Sequence, residues 1–458
     1  MTTVLFAFVL LAAVASFVLA RQRAVSVVGG EVSALHSRPS FHGLYSGLWV
    51  LMAGIGAVIL LTIVPNFFID RALMGQIAAA LPDDPRIAHQ LVLSDAKALA
   101  SGEIASKTDD LRLEIAAKYS SSAGLWNWVR VIMVVGGAVL AAFMTLGAIS
   151  PDRRARNRSE TIIRFILAGM ATIAILTTVG IVMSLIFETL NFFNKIDWQL
   201  QKFLFGTTWS PLSGVHEGKL DADKVGAIPL FAGTLMITMI AMLVAVPVGL
   251  FAAIFLSDFA SRRVRSVVKP MLEILAGIPT VVYGFFAAIT VAPFLRGSGE
   301  AIGLTVASES ALVAGIVMGI MIIPFISSLS DDVINSVPQS LRDGAYGLGA
   351  TKAETMRQVV LPAALPGIVS AALLGFSRAV GETMIVVMAA GQGANLTANP
   401  FEAVTTVTVQ IVMLITGDTE AETAAGPAFT LGFTLFCVTL LMNFAAQRLV
   451  RRYRELYD

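Results

Sequence analysis

Charge is what this sequence has least of. Of its 458 residues, 14% are Asp, Glu, Lys or Arg and 56% are hydrophobic. A water-soluble domain carries about 25% charged residues, so an ordinary soluble fold is excluded and a polytopic membrane protein is expected. The net charge is +1, which leaves no bulk field for nucleic acid; only the distribution of charge between loops is informative. There is one cysteine, Cys437. It cannot close an internal disulfide, and its place in the last apolar run reads as a small packing residue. The four histidines, His36, His42, His89 and His216, fall in different segments and form no metal-ligand spacing. No G-x-x-x-x-G-K-[ST] occurs, so the chain does not bind ATP by that route.

What the sequence has in quantity is long apolar runs. Nine are expected to span a bilayer: Val4–Ala20, Leu44–Phe68, Trp126–Ser150, Ile162–Phe187, Ile228–Leu256, Met271–Phe294, Ala311–Ser327, Gly367–Ala390 and Ala428–Val450. The first run lacks the basic leader of a secretory signal, and Arg21 and Arg23 follow it. It reads as an uncleaved span with its N-terminus outside. The basic segments are Arg21/Arg23/Arg38, Arg153–Arg158, Arg262/Arg263/Arg265/Lys269, Arg342/Lys352/Arg357 and Arg448/Arg451/Arg452/Arg454. They alternate with neutral or mixed segments. Nine spans with the N-terminus out and the C-terminus in place every basic cluster in the cytoplasm. The fold class is therefore all-α and polytopic.

The segments assigned to the outside carry less information. Residues 70–123 have helix-spaced apolar positions (Leu73, Met74, Ile77, Leu81) and read as a small helical cap. Leu190, Phe193, Ile196, Leu200 and Phe203 share one helical face beside Trp198, so 190–205 is expected to be an interfacial anchoring helix. Val404–Ile415 is too short to span and reads as re-entrant or interfacial. No internal repeat is evident.

Breaks are expected within the spans at Pro247 with Gly249, at Gly277 with Pro279, and at Pro293 and Pro324. Freed backbone groups in a bilayer need neighbours to satisfy them, which favours buried, pathway-lining helices. Gly315-Ile316-Val317-Met318-Gly319 reads as a small-residue packing face. The breaks fall in the fifth to seventh runs, which marks the last six spans as the working core.

An ionisable side chain at the centre of a span costs about 2.5–3.5 kcal/mol on insertion scales, so each needs a reason. Arg378 is expected near the middle of the eighth span, with Glu382 four residues on. At that spacing the two share a helical face and can pair. Arg before Glu is the less favourable order, so local helix stability explains the pair poorly. Glu273, just inside the sixth run, is the third candidate and could pair with Arg378 or with a base of the cytoplasmic loop. A guanidinium fork suits an oxyanion, and a neighbouring carboxylate would weaken binding enough for release. Two readings stay open: a gate for an anion, or a buried salt bridge that holds helices in register.

The stretch Gln339–Ile368 is a polar island between apolar runs and reads as two short helices. Ser340 can cap the first, which ends at Gly347 and Gly349. Thr351-Lys352-Ala353-Glu354 is a capping box opening the second, which places Met356, Val359, Val360 and Leu361 on one side and is expected to stop at Pro362. The stretch resembles the cytoplasmic signature of ABC importer permeases, E-A-A, three residues, G, nine residues, I-x-L-P. Asp343, Gly344 and Ala345 take the first places, Gly349 the glycine, Val359 the isoleucine, and Leu361-Pro362 the end. Asp for Glu, Gly for Ala and Val for Ile depart from it. The resemblance implies that this hairpin docks in a groove of an ATP-binding subunit, with Thr351 and Glu354 shaping it.

From about Leu190 onward the chain resembles the PstC-type permease subunit of the bacterial high-affinity phosphate ABC importer, within the binding-protein-dependent transport permease family. The residues that carry this are Phe203–Pro211 (FLFGTTWSP), Ala245–Gly249 (AVPVG), Glu273–Phe285 (EILAGIPTVVYGF) and Ser377–Thr383 (SRAVGET). The implied organisation is residues 1–160 as an extension with three spans and the loop 70–123, and 161–458 as a six-helix permease core with coupling helices at 339–366. The implied function is the transmembrane part of an ATP-driven phosphate importer in the inner membrane. The implied partners are a homologous permease subunit, two copies of an ATPase that carry ATP and Mg, and a periplasmic phosphate-binding protein. No cofactor is expected on this chain, and no enzymatic activity. In that family Arg-Ala-x-Gly-Glu is associated with translocation, which favours the gate at Arg378 and Glu382. Another oxyanion, molybdate or sulfate, or an ion-gradient transporter with Glu273 or Glu382 as proton carrier, are the competing expectations.

Overall fold

A computed structural model describes residues 2–82, 86–102, 104–211, 213, 221–417 and 421–454; His216 and the basic side chains beyond Val450 lie outside what it describes. Among the described residues there is no β-strand, only an isolated bridge between Trp209 and Val225. Among the same residues, nine helices are long and apolar enough to cross a membrane. The chain divides into two compact units, Met1–Leu176 and Thr177–Asp458.

In the first unit, α1 (Thr2–Val27), α2 (Pro39–Ala80) and α4 (Asp110–Gly147) pack together, with α3 (Arg86–Ser101) between the last two. Close approach depends on small residues: a Cβ on Gly43 would lie 2.7 Å from the Phe17 carbonyl. A polar ladder crosses all three long helices, Ser16 to Ser46 at 2.6 Å and Ser46 to Thr145 at 2.6 Å. Pro65 sits inside α2 and has no N–H for the Leu61 carbonyl. The buried Arg130 of α4 supplies the missing donor, its Nε lying 3.1 Å from that oxygen. The helices run further than the apolar runs. Leu73 and Ile77 continue α2 and pack on Val92, Ala96 and Ile115, so the segment 70–123 is largely extension of two spans with α3 laid against them.

In the second unit, α5 (Ala155–Lys195) enters from the first and is followed by α6 (Leu200–Phe205), α7 (Ile228–Ile254), α8 (Arg262–Ala276), α9 (Thr280–Phe286), α10 (Ala292–Ala301) and α11 (Ala311–Ser336). Then come α12 (Gln339–Gly347), α13 (Lys352–Thr355), α14 (Leu361–Val380), α15 (Met384–Ala389), α16 (Val407–Thr416) and α17 (Ala421–Arg454). Helix α11 is central, with 61% of its apolar window buried against 28% or less for the other candidate spans. It packs on α7 through the glycine face: a Cβ on Gly315 would meet Ile240 at 2.6 Å, and one on Gly319 would meet Val244 at 2.9 Å. The G-x-x-x-G stretch is a packing face, as its composition suggests.

Several expectations are corrected. Pro247 and Pro324 lie inside uninterrupted helices. The sixth run is not one span: α8 ends at Ala276, the chain turns at Gly277-Ile278-Pro279, and a helix with a π turn at Ala287–Val291 runs on to Ala301. Tyr283 Oη donates to the Leu275 carbonyl at 2.9 Å and so satisfies an acceptor freed by the break. Pro293 follows the π turn within the first turn of α10, where its missing N–H costs little. Residues 190–205 are not one interfacial helix. Asp197 and Trp198 take positive φ (50° and 58°) and reverse the chain, so Phe192, Ile196 and Phe203 enter a buried cluster with Trp209 while Leu190 and Leu200 stay exposed. Val407–Thr416 forms a helix too short to span, as expected. Cys437 is half-buried in α17.

Candidate coupling and pathway site

The hairpin forms where the sequence places it, except that Pro338, not Ser340, is the N-cap of α12 and no side chain caps it; Ser340 lies within the first turn. Helix α12 ends at Gly347, and Gly349 takes φ +87°, a conformation that penalises any Cβ. Thr351 then opens the second helix with a complete capping box: its N–H and Oγ1 donate to Glu354 Oε2 at 2.8 and 2.7 Å, and the Glu354 N–H donates to Thr351 Oγ1 at 3.3 Å. Glu354 is thereby fixed as a cap. Gln339 Nε2 donates to Asp343 Oδ1 at 3.2 Å, so that carboxylate, short as it is, is held on α12.

Pro362 does not stop the second helix. A π turn, Met356–Val360, precedes it and relieves the clash of its ring with the preceding turn, so the helix continues from Lys352 to Val380. Met356 and Val360 face Ile334, Ala253 and Ile368 in a buried cluster; Val359, Leu361 and Pro362 are half-buried beside it. Asp343, Gly344, Gly349, Thr351 and Glu354 are exposed, and Ala345 is half-buried. Leu348, at the tip, is 92% exposed, with Leu341 and Tyr346 also out. An apolar knob on a rigid polar hairpin fits burial against a protein surface.

Two residues absent from the sequence reading of the site lock the hairpin and its neighbours. Arg342 is buried; its Nη1 pairs with Asp258 at 2.5 Å and its Nη2 donates to the Ile334 carbonyl at 2.9 Å. Asp258 lies in the π turn Phe255–Phe259 that ends α7. Asp331 of α11 is 2% exposed and accepts from Arg265 Nη2 (3.0 Å), Lys269 Nζ (2.9 Å) and Asn335 Nδ2 (2.8 Å). A buried carboxylate is tolerable only with such partners. Its hydrogen bond to Lys269 is the main cause holding that ammonium above the ordinary lysine range. The signal for Asp331 was present. Ser330, Asp331 and Ile334 continue the buried stripe of α11 past the end of its apolar run at Ser327.

Arg378 and Glu382 are not a helical pair. Helix α14 ends at Val380 with Gly381 as its C-cap, so Arg378 sits in the last turn and Glu382 lies beyond the break. Glu382 Oε1 instead accepts from the N–H groups of Met384 (3.0 Å) and Ile385 (3.3 Å) and caps α15. Arg378 is exposed, and its guanidinium lies 5.8 Å from the centroid of the Phe325 ring. Among the described residues it forms no ion pair with Glu382 or Glu273. Glu273 is also displaced from its expected place: it is an exposed residue of α8, outside the candidate spans, because the chain breaks after Ala276. It lines a cavity of 220 Å³ with Lys269, Asp331, Ser327, Ser328 and Phe325. Phe325 is thus common to the surroundings of Arg378 and of Glu273.

Residues 245–455, which include all of these groups, match the family described as "Binding-protein-dependent transport system inner membrane component". Residues 6–177 match one described as "Phosphate ATP-binding cassette transporter". The probable ABC transporter permease protein YqgH of Bacillus subtilis is 33% identical over 63% of this chain and 90% of its own length. The phosphate transport system permease protein PstC of Mesorhizobium japonicum is 32% identical over 55% of this chain and 78% of its own. PstC 1 of Mycobacterium bovis is 35% identical over 55% and 81%.

Proposed function

The chain belongs to the binding-protein-dependent transport permease family, and from that premise we propose that it forms, with a homologous permease subunit, the path by which an ATP-driven importer carries inorganic phosphate across the bacterial inner membrane. Membership makes it a multi-pass transport subunit and not an enzyme. A permease of this family works with an ATPase and a substrate-binding protein. Our finer reading is one homologous permease partner, two ATPase copies holding ATP and Mg, and a periplasmic phosphate-binding protein, with no cofactor on this chain. Phosphate is supported by the family matched over residues 6–177 and by the relatives that carry it in their names.

The observation that carries the mechanism is the continuous helix from Lys352 to Val380. One end is the exposed hairpin; the other holds Arg378, about 40 Å away at 1.5 Å per residue. A displacement imposed on Leu348 passes into this rod, and through Arg342 and Asp258 into the end of α7. The buried cluster around Ile334 and Met356 carries it to α11. In this reading, closure of the ATPase dimer pulls the hairpin, and the six-helix core alternates between inward- and outward-facing states. Arg378 offers its fork to the oxyanion while the Glu382 carboxylate is engaged as a cap. Movement of α15 against α14 would free Glu382 to compete and release the anion. N-out, C-in orientation puts the hairpin on the ATP side.

The test is labelled-phosphate uptake into vesicles with and without the ATPase partner and internal ATP. Uptake should require both and survive an uncoupler. Uptake that collapses with the uncoupler and ignores ATP would establish an ion-gradient carrier instead. Competition by molybdate or sulfate at equal concentration would move the substrate to another oxyanion.

A further inference from the structure

We propose that the first unit carries a binding site for one anionic phospholipid, its acyl chain in a groove between α2 and α4 and its headgroup phosphate on an arginine cluster at the groove's end. The groove has a volume of 460 Å³ and is lined chiefly by apolar and aromatic side chains, among them Tyr45 and Trp49 of α2 and Leu140 and Met144 of α4. Its closing residue is Arg153, whose guanidinium lies 4.7 Å from the Tyr45 ring centroid. Arg153 also borders a second cavity of 630 Å³, shared through Ala148 and lined by Arg154, Arg158 and Asp152. The two cavities therefore meet at Ala148 and Arg153, apolar on one side and cationic on the other.

Charge decides the occupant. Three arginines face one carboxylate, and among the described residues Arg153, Arg154 and Arg158 form no ion pair. Arg153 is half-buried and donates one N–H to the Ala148 carbonyl, a neutral acceptor that leaves its charge unmatched. Guanidinium forks without a carboxylate partner suit an anionic acceptor at the cavity they line. Arg153 and Arg154 lie on the loop that joins two apolar helices, α4 and α5, and Arg158 in the first turn of α5, so the cluster lies at the membrane boundary, where Tyr45 and Trp49 also fit. A free anion would satisfy the arginines and leave the groove empty. A neutral lipid would fill the groove and leave the arginines unmatched. An anionic phospholipid does both, and basic residues at the membrane surface are attracted to anionic headgroups. The inference does not depend on which solute is transported.

The experiment uses the full chain in nanodiscs in which brominated phosphatidylglycerol or brominated phosphatidylcholine is titrated into unlabelled phosphatidylcholine. The quenched signal is the part of the tryptophan fluorescence that Trp49→Phe removes. Phosphatidylglycerol should quench it at a mole fraction several-fold lower than phosphatidylcholine does. The triple variant R153Q/R154Q/R158Q should abolish that preference, and Leu140→Phe, which narrows the groove but keeps the arginines and adds no tryptophan, should reduce it. Equal quenching by the two lipids in the unaltered chain overturns the proposal without any variant. So does a preference unchanged in the triple variant, or one erased by millimolar inorganic phosphate, which would make the cluster a site for the free ion.

Discussion

Arg342, at the start of the hairpin, is paired with Asp258, at the end of α7, and both are largely out of solvent, at 7% and 17% side-chain exposure. The pair joins the part of the chain that reaches for a partner to the part that spans the membrane. Removing one member of a buried pair leaves the other uncompensated and costs about 3–5 kcal/mol. Arg342→Ala should therefore lower the thermal stability of the purified chain. The double variant R342M/D258L should recover most of that loss and still transport poorly, because an apolar contact does not fix the hairpin's angle. Melting curves and uptake measured on the same preparations separate the two effects.

Leu348 makes the opposite case. At 92% exposure it contributes almost nothing to the chain's own fold. Leu348→Asp should leave the melting temperature within about 1 °C of the unaltered chain, as surface changes do. It should lower ATP-driven uptake by at least tenfold through lost docking. Unchanged uptake would show that the knob faces no partner.

Asp331 gathers Arg265, Lys269 and Asn335. Asp331→Ala should destabilise the second unit by about 3 kcal/mol and free α8, since Arg265 loses its carboxylate partner and Lys269 keeps only the more distant Asp332, at 3.5 Å, among the described residues. Asp331→Asn keeps one of the two acceptor oxygens but puts an NH2 donor in place of the other, so it should cost less than Ala without being neutral. Hydrogen exchange over residues 262–276 reads the difference directly.

Arg378→Gln should abolish phosphate uptake while the assembled complex still purifies, since the side chain is exposed and holds no other element in place. Glu382→Gln keeps an acceptor for the Met384 and Ile385 N–H groups and should assemble normally. Glu382→Ala removes the cap and should loosen α15, at a cost of about 1 kcal/mol. Normal uptake by Arg378→Gln would dismiss the proposed role of that guanidinium.

Acid should loosen the first unit through Asp95. The Ser106 N–H, first, and then Arg112 hold its carboxyl below the ordinary Asp range. A depressed folded pKa means the contribution is present above the unfolded value and is lost as pH falls through the folded one. Proteolysis in the loop before α4 should therefore rise between neutral pH and pH 3. Asp95→Asn should show the higher cleavage already at pH 7.

Much of this was legible in the residues. Runs of apolar side chains mark nine spans because a bilayer tolerates little else, and the capping box at Thr351 fixed the second helix of the hairpin from four residues. What escaped has a common cause, which is that it depends on neighbours distant in sequence. Pro247 and Pro324 read as breaks, yet their helices pass through, while the Leu61 carbonyl orphaned by Pro65 shows how a partner such as Arg130 repairs one. Arg378 and Glu382 share a face only on an unbroken helix, and the turn at Gly381 removes that premise. Asp331 drew no reading, and Arg342 read only as one of the basic residues of a cytoplasmic segment, because nothing local shows that their partners wait on α8 and at the end of α7. Asp197 and Trp198 take a left-handed turn that no propensity favours, so the pattern of Leu190 and Leu200 pointed to the wrong face.

The central claim is that the hairpin tip is driven by an ATPase, and it is tested most directly by cross-linking. With Cys437→Ala as background, Leu348→Cys in the assembled importer should be captured by a bifunctional thiol reagent onto the nucleotide-binding subunit, with a yield that changes when ATP is added. Capture of no such subunit, or labelling of that cysteine by an impermeant reagent only from outside the cell, would contradict it.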